Sequence, residues 1–116
     1  MTQTLKISVD FSDTPGPRYK TEGHYSGEAF RTEMLHPRLK EAIEKGDKLI
    51  IDLDGAQGYG TSFLEEAFGG LIRNDGLGYD DIMQHIEIVS EEEPYLIDDI
   101  QQYLKDADDE TKKTAS

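Results

Sequence analysis

Six residues near the middle, Lys48-Leu49-Ile50-Ile51-Asp52-Leu53, limit the folds open to this chain more than any other stretch. Their apolar run is continuous rather than alternating, which suits a central strand covered on both faces of an α/β sheet. A glycine-rich loop follows, Asp54-Gly55-Ala56-Gln57-Gly58-Tyr59-Gly60. Phe63, Leu64, Ala67, Phe68, Leu71 and Ile72 then recur at helical spacing. Ser62 stands three residues before Glu65, the pattern of a capping box, and is expected to open this helix. Gly69 and Gly70 each cost a helix roughly 1 kcal/mol relative to Ala. They are expected to let the helix approach its sheet closely.

The flanks extend the same alternation of strands and helices. Leu5, Ile7, Val9 and Phe11 alternate with Lys6, Ser8 and Asp10, which predicts a half-buried strand over 4–11. Ser12 to Pro17 is a turn cluster, and 18–23 fits a short second strand. Ser26 can cap a helix from Gly27, with Phe30, Met34, Leu35, Leu39, Ala42 and Ile43 as its apolar stripe. Pro37 predicts a kink, or a break near His36, and Gly46 a stop. Residues 74–78 read as a loop, 79–84 as one or two helical turns, and Ile86, Ile88 and Val89 as a strand. Ser90 and Glu93 repeat the capping-box pattern, with Pro94 in the first turn of a helix marked by Leu96, Ile97, Ile100, Tyr103, Leu104 and Ala107. Residues 108–116 hold nothing to bury and read as a disordered tail, leaving 1–107 as one domain. The order β-β-α-β-α-β-α implies an α/β fold with a mixed sheet of about four strands flanked by helices.

Charge narrows the function. The chain has 25 Asp and Glu against 12 Lys and Arg, a net of −13. Such a surface repels nucleic acid and anionic membrane, so neither is an expected partner. Residues 80–116 hold 12 acids and 3 bases, a net of −9. This acidity suits a solvated helix face, and any partner of the last helix would be basic. There is no cysteine, which removes disulfide and thiolate chemistry. No signal-like segment and no run near the ~20 apolar residues of a membrane span is present, so a cytoplasmic location is expected.

Several residues could carry chemistry. Asp52 and Asp54 form a strand-end Asp-x-Asp that resembles the first motif of haloacid-dehalogenase-type phosphatases. There one Asp attacks phosphorus and the other acts as acid and base around Mg²⁺. In this chain the motif lies in mid-sequence, and Ala56 and Gln57 stand where that family places a Thr. The two carboxylates better suit a structural role, accepting loop N–H groups. His24, His36 and His85 have no ligand spacing, so no metal site is expected. Gly55, Gly58 and Gly60 precede a helix, which could hold a phosphate or nucleotide through loop N–H groups, although no Walker lysine is present. Capping accounts for Ser62 as structure. A phosphoryl group on Ser62 or Thr61 would also be favoured by the helix dipole.

Three stretches together carry a resemblance: Gly23-His24-Tyr25-Ser26-Gly27-Glu28-Ala29-Phe30-Arg31, Lys48 to Gly55, and Thr61-Ser62-Phe63-Leu64-Glu65-Glu66-Ala67-Phe68-Gly69-Gly70-Leu71. From about Leu5 to Leu104 the chain resembles the STAS-like domain family of unknown function. More remotely it is similar to the STAS domains of anti-sigma-factor antagonists. The resemblance implies a small four-stranded sheet flanked by helices and a regulatory protein-binding module rather than an enzyme, with no catalytic residue and no cofactor. It implies a protein partner with a histidine-kinase-like ATPase fold. It places the partner-binding face at Gly58, Tyr59, Gly60, Thr61, Ser62 and Glu65, with Ser62 or Thr61 as phosphoacceptor. Antagonists carry Asp-Ser-Ser/Thr-Gly at this turn, where this chain reads Gly60-Thr61-Ser62-Phe63. Exposed strand edges in such a sheet leave a dimer open.

Overall fold

A computed structural model describes residues 2–115. Three strands, β1 (Thr2–Lys6), β2 (Lys48–Asp52) and β3 (Ile86–Val89), form one parallel sheet in the order β1-β2-β3. The sheet therefore has three parallel strands among the described residues, not the four mixed ones expected. One expected strand, over 18–23, is absent, and another is shorter than its pattern suggests. The first strand stops at Lys6, and Ile7–Asp10 turns into a single helical turn, α1. Leu5 and Ile7 are buried, but the turn carries Val9 out to 74 % exposure, so the alternation ends there. The Lys6 N–H donates to the Asp10 carboxylate at 2.8 Å, which ties the turn to the strand end.

The second expected strand, over 18–23, is replaced by a 3₁₀ turn at Lys20–Glu22. The carbonyls of Pro17 and Arg18 accept the N–H groups of Gly27 (2.9 Å) and Glu28 (3.0 Å). These are among the donors that a helix leaves unpaired at its start, so this segment seals a helix end instead of joining a sheet.

That helix, α2, spans 27–45. It opens at Ser26, whose Oγ accepts the N–H of Ala29 at 3.0 Å, and closes on Gly46 in the left-handed region (φ 71°). Pro37 does not end it. A π turn at Arg31–Leu35 precedes the proline, with the His36 N–H bonded to the Arg31 carbonyl five residues back. Widening the ladder there removes the need for the N–H that Pro37 lacks.

The helix after β2, α3, spans 61–73 and contains a second π turn at Glu65–Gly69. Helix α4 (Tyr79–His85) leads into β3, and α5 (Tyr95–Ala115) follows. Helix α5 continues over residues expected to be a disordered tail, with i,i+4 ion pairs Lys105–Asp109 (3.4 Å) and Lys112–Asp108 (3.0 Å). Ser116 lies outside the described residues.

Parallel register sets the two faces of the sheet. Leu5, Ile51 and Ile88 align across it, as do Leu49 and Ile86, and this face meets the helices. On the other face Thr4, Lys48 and Glu87 are exposed and Ile50, Asp52 and Val89 half-buried. The central strand is thus closed on one face only, unlike the two-sided burial that its sequence suggests. Helix α3 is enclosed along most of its length and packs against both α2 and α5. Its Phe63, Leu64, Phe68 and Leu71 form the centre of the core with Phe30, Leu35 and Ile51.

Candidate functional site

The carboxyl ends of the three strands meet at Asp52 and Asp54. Lys6 Nζ donates to Asp52 (3.2 Å) and to the Asp54 carbonyl (3.1 Å), and Ser8 Oγ donates to the same carbonyl (3.2 Å). The Asp52 carboxylate also accepts the Asp54 N–H at 2.9 Å. The Asp54 carboxylate accepts the N–H groups of Glu92 (3.0 Å) and Glu91 (3.1 Å), which hold it below the usual carboxylate range. Both aspartates thus tie loops together, and no cluster of three metal-ligating side chains occurs among the described residues. His24 is exposed, and His36 and His85 are half-buried on two different helices.

The glycine loop is pinned at several points. Gly55 takes a positive φ of 92°, and a Cβ there would meet Ser8 Oγ at 2.7 Å. The Gly55 N–H donates to the Glu92 carboxylate, and the Gln57 N–H to the Asp13 carbonyl at 2.8 Å. Two loop donors that a phosphate would need are therefore taken, one by an anion. Tyr59 closes the loop. Its hydroxyl donates to the Leu53 carbonyl (2.7 Å) and its ring lies 6.1 Å from that of Phe63. Burial, with Asp52 and Asp54 nearby, pushes its phenol well above the ordinary tyrosine range.

The helix start differs from the capping box that its sequence suggests. Gly60 is the N-cap, helix α3 begins at Thr61, and no side chain caps it. Ser62 sits inside the first turn, two residues past the cap. Thr61 and Ser62 are both exposed, and neither hydroxyl has a hydrogen-bond partner among the described residues. Glu65 does not reach back to the cap. It bonds Arg18 (2.5 Å), 47 residues away, and Arg73 (2.5 Å). Burial pushes the Glu65 carboxyl up, but the two guanidiniums outweigh burial and hold it below the usual range.

Behind the exposed hydroxyls stands an aromatic cluster. Phe63 lies 5.9 Å from Phe30 and 6.2 Å from Phe11, and Phe11 meets Tyr25 edge-on at 5.7 Å. Tyr25 is 51 % exposed, and Phe11 and Tyr59 are half-buried. The helix start therefore presents hydroxyls beside partly exposed aromatic rings. The Arg18–Glu65 pair ties down the 11–25 segment, which supplies Phe11 and Tyr25.

Beneath this face lies an ionic network that sequence reasoning missed. Arg31 is only 4 % exposed, and its Nη1 donates to the Glu66 carboxylate and to the Glu66 carbonyl (3.1 Å). Its Nε lies 3.2 Å from Asp75 Oδ2, close enough for an ion pair but misaligned for a hydrogen bond. Room for this guanidinium comes from Gly70, and Gly69 gives way to Glu65 and Arg73. The glycine pair thus admits arginines rather than bringing the helix against the sheet. Gly27 brings α2 against the Phe63 backbone of α3. A usable signal was present, since Gly27, Arg31 and Leu35 recur every four residues on one helix, which sets an arginine on a buried stripe.

Among the described residues, no helix is long and apolar enough to cross a membrane. No curated protein and no solved structure matches the chain. A family model described as a STAS-like domain of unknown function (DUF4325) matches residues 26–96, from the Ser26 cap to the start of α5 and across the whole ionic network apart from Arg18. That match covers more than half of the chain, and the protein belongs to this family of STAS-like domains.

Proposed function

We propose that this protein is a regulatory protein-binding module, not an enzyme. It would take its partner on the 58–66 loop and helix start, in the manner of the anti-sigma-factor antagonists that it remotely resembles. The observation that carries this reading is the state of Thr61 and Ser62. Both hydroxyls are exposed, and neither is used to cap the helix that it opens. A residue spent on capping has a structural reason to be there, whereas these two stand free just after Tyr59 in the chain. The rigid loop and the buried network below hold them in place, as a pre-organised recognition surface requires.

The partner class that fits the resemblance is a histidine-kinase-like ATPase domain, and the cytoplasm is where such a pair would meet. A phosphoryl group on Ser62 or Thr61 would add about −1.5 to −2 charges in the middle of the face, favoured by the helix dipole and able to expel a partner. The test is binding of an ATPase-domain partner to the wild type and to Ser62→Glu and Thr61→Glu, with each variant's fold checked by thermal melting. Loss of binding in folded variants supports the face, and undiminished binding removes it. The competing phosphate-binding reading of the loop is opposed by Glu92, Asp52 and Asp54, which surround its amides with negative charge.

A further inference from the structure

Strand β3 ends the sheet. Strand β2 pairs with one side of it, and no strand among the described residues lies on the other. Beside that free edge, β3 and α5 leave a groove of about 300 Å³. Ile86, Ile88, Ile97 and Ile100 line it, together with the exposed Glu87 and Gln101. Ile88 and Ile97 remain half-buried, so apolar surface meets water next to unpaired strand edge. Such an edge is a template for another strand.

We propose that this edge binds an extended segment of a partner protein as a fourth strand, with apolar side chains at alternate positions and lysine or arginine between them. The alternation follows from the pleat. Ile86 and Ile88 lie on the helix side of the sheet and line the groove, while Glu87, at its rim, belongs to the open sheet face in register with Thr4 and Ile50. A strand added beside β3 alternates in the same way, so one set of its side chains enters the groove and the other lies beside Glu87. Glu87 has no ion pair among the described residues, and a basic residue opposite it makes a favourable cross-strand pair. The strand and helix that form the groove belong to the acidic last third of the chain, where residues 80–116 carry a net charge of −9. The same charge argues against a second copy as the occupant. Pairing β3 with its own image would bring two Glu87 side chains together and join two chains of −13 each. This surface shares no residue with the 58–66 face.

The probe is an eight-residue peptide alternating valine and lysine, compared with one alternating valine and glutamate. Each is titrated into the isotope-labelled full chain and followed by amide NMR shifts and hydrogen exchange. The valine–lysine peptide is expected to shift the amides of residues 86–89 and slow their exchange. It should bind at least tenfold more tightly than the valine–glutamate peptide. Glu87→Lys, at an exposed position, should keep the melting temperature and weaken binding at least tenfold, while Asp106→Lys, which changes net charge equally, should weaken it less than threefold. Absence of binding, shifts centred elsewhere, or equal losses in the two variants would overturn the proposal. So would a concentration-dependent dimer of the free chain whose shifts map to 86–89, since the occupant would then be a second copy.

Discussion

Gly70 and Arg31 compete for one volume. A Cβ placed on Gly70 would lie 2.8 Å from Cζ of Arg31 and overlap its Nη1. The missing side chain on α3 is thus what lets the guanidinium of α2 reach Glu66. This relationship joins two stretches that look unrelated in sequence, the Gly-Glu-x-Phe-Arg run and the Gly-Gly pair. It also supports the face above it, because Glu66 adjoins Glu65, and Glu65 anchors Arg18.

Gly70→Ala should therefore destabilise the fold by about 2–4 kcal/mol, as the arginine is displaced from a site with no spare space. Arg31→Met should cost about 3 kcal/mol, because it removes the one guanidinium hydrogen-bonded to the buried Glu66 and leaves only Arg18 (3.7 Å) and Arg73 (3.9 Å) near its carboxylate. The double variant Arg31→Met/Glu66→Gln should recover a measurable part of that loss. Urea unfolding of the three proteins checks the order. A Gly70→Ala protein as stable as the wild type would show that the guanidinium does not need this space.

Gly27→Ala should separate α2 from α3. The added methyl would collide with the Phe63 carbonyl oxygen and lie 3.1 Å from the Phe63 Cα, and backbone cannot swing aside as a side-chain tip can. A loss of about 1–3 kcal/mol is expected despite alanine's better helix propensity. Gly46→Ala has open space around it but sits at φ 71°, so its smaller cost of about 1 kcal/mol should come from backbone strain alone. Melting temperatures of the two variants compare crowding with strain directly.

Glu65 makes stability depend on pH in a stated direction. Its carboxyl titrates below the ordinary value of 4.5 in the folded protein. The unfolded chain therefore binds a proton first as pH falls, and the stabilisation present above 4.5 is lost below it. Falling pH also relieves repulsion among the excess acids, which acts in the opposite sense. The comparison that isolates Glu65 is the stability gap between wild type and Glu65→Gln, which should be widest near neutrality and shrink below about pH 4.5. A gap that stays constant down to about pH 3 would mean that the Arg18 and Arg73 contacts do not favour the charged form.

Tyr59→Phe removes the hydroxyl that holds Leu53 and keeps the ring on Phe63. A loss of about 1 kcal/mol is expected, with the Leu53 carbonyl turning to water. Hydrogen exchange should rise in the 55–60 loop and stay unchanged in β2. Equal exchange in both proteins would show that the loop is held by its other bonds, from Gly55 and Gln57.

Local features were legible where one signal had no rival. Ser26, Gly46, the 48–52 strand, the 79–85 helix and β3 all follow from caps and periodicity within a few residues. Elsewhere a distant partner decided. Glu65 fits a capping box by spacing, but two arginines outbid the helix N–H group for its carboxylate, one from a segment 47 residues earlier. Residues 18–23 fit a strand, but the start of α2 needs the carbonyls of Pro17 and Arg18. Val9 extends an alternating pattern that the chain leaves at Lys6. For the site, the position of the helix start was legible and the freedom of Ser62 was not. One-residue placement of an N-cap separates a spent hydroxyl from a free one, and periodicity does not fix a boundary that finely.

The central claim is that Thr61 and Ser62 form a partner-binding face. Its most direct test is affinity capture with the wild-type chain and with folded Ser62→Glu, with and without ATP, followed by mass spectrometry of the captured proteins and of the 61–73 helix. The expected result is an ATPase-domain protein held by the wild type and at least tenfold depleted with Ser62→Glu, with ATP-dependent phosphate on Ser62 or Thr61 where the partner is also a kinase. Capture of the same partners in equal amounts by both proteins would contradict it.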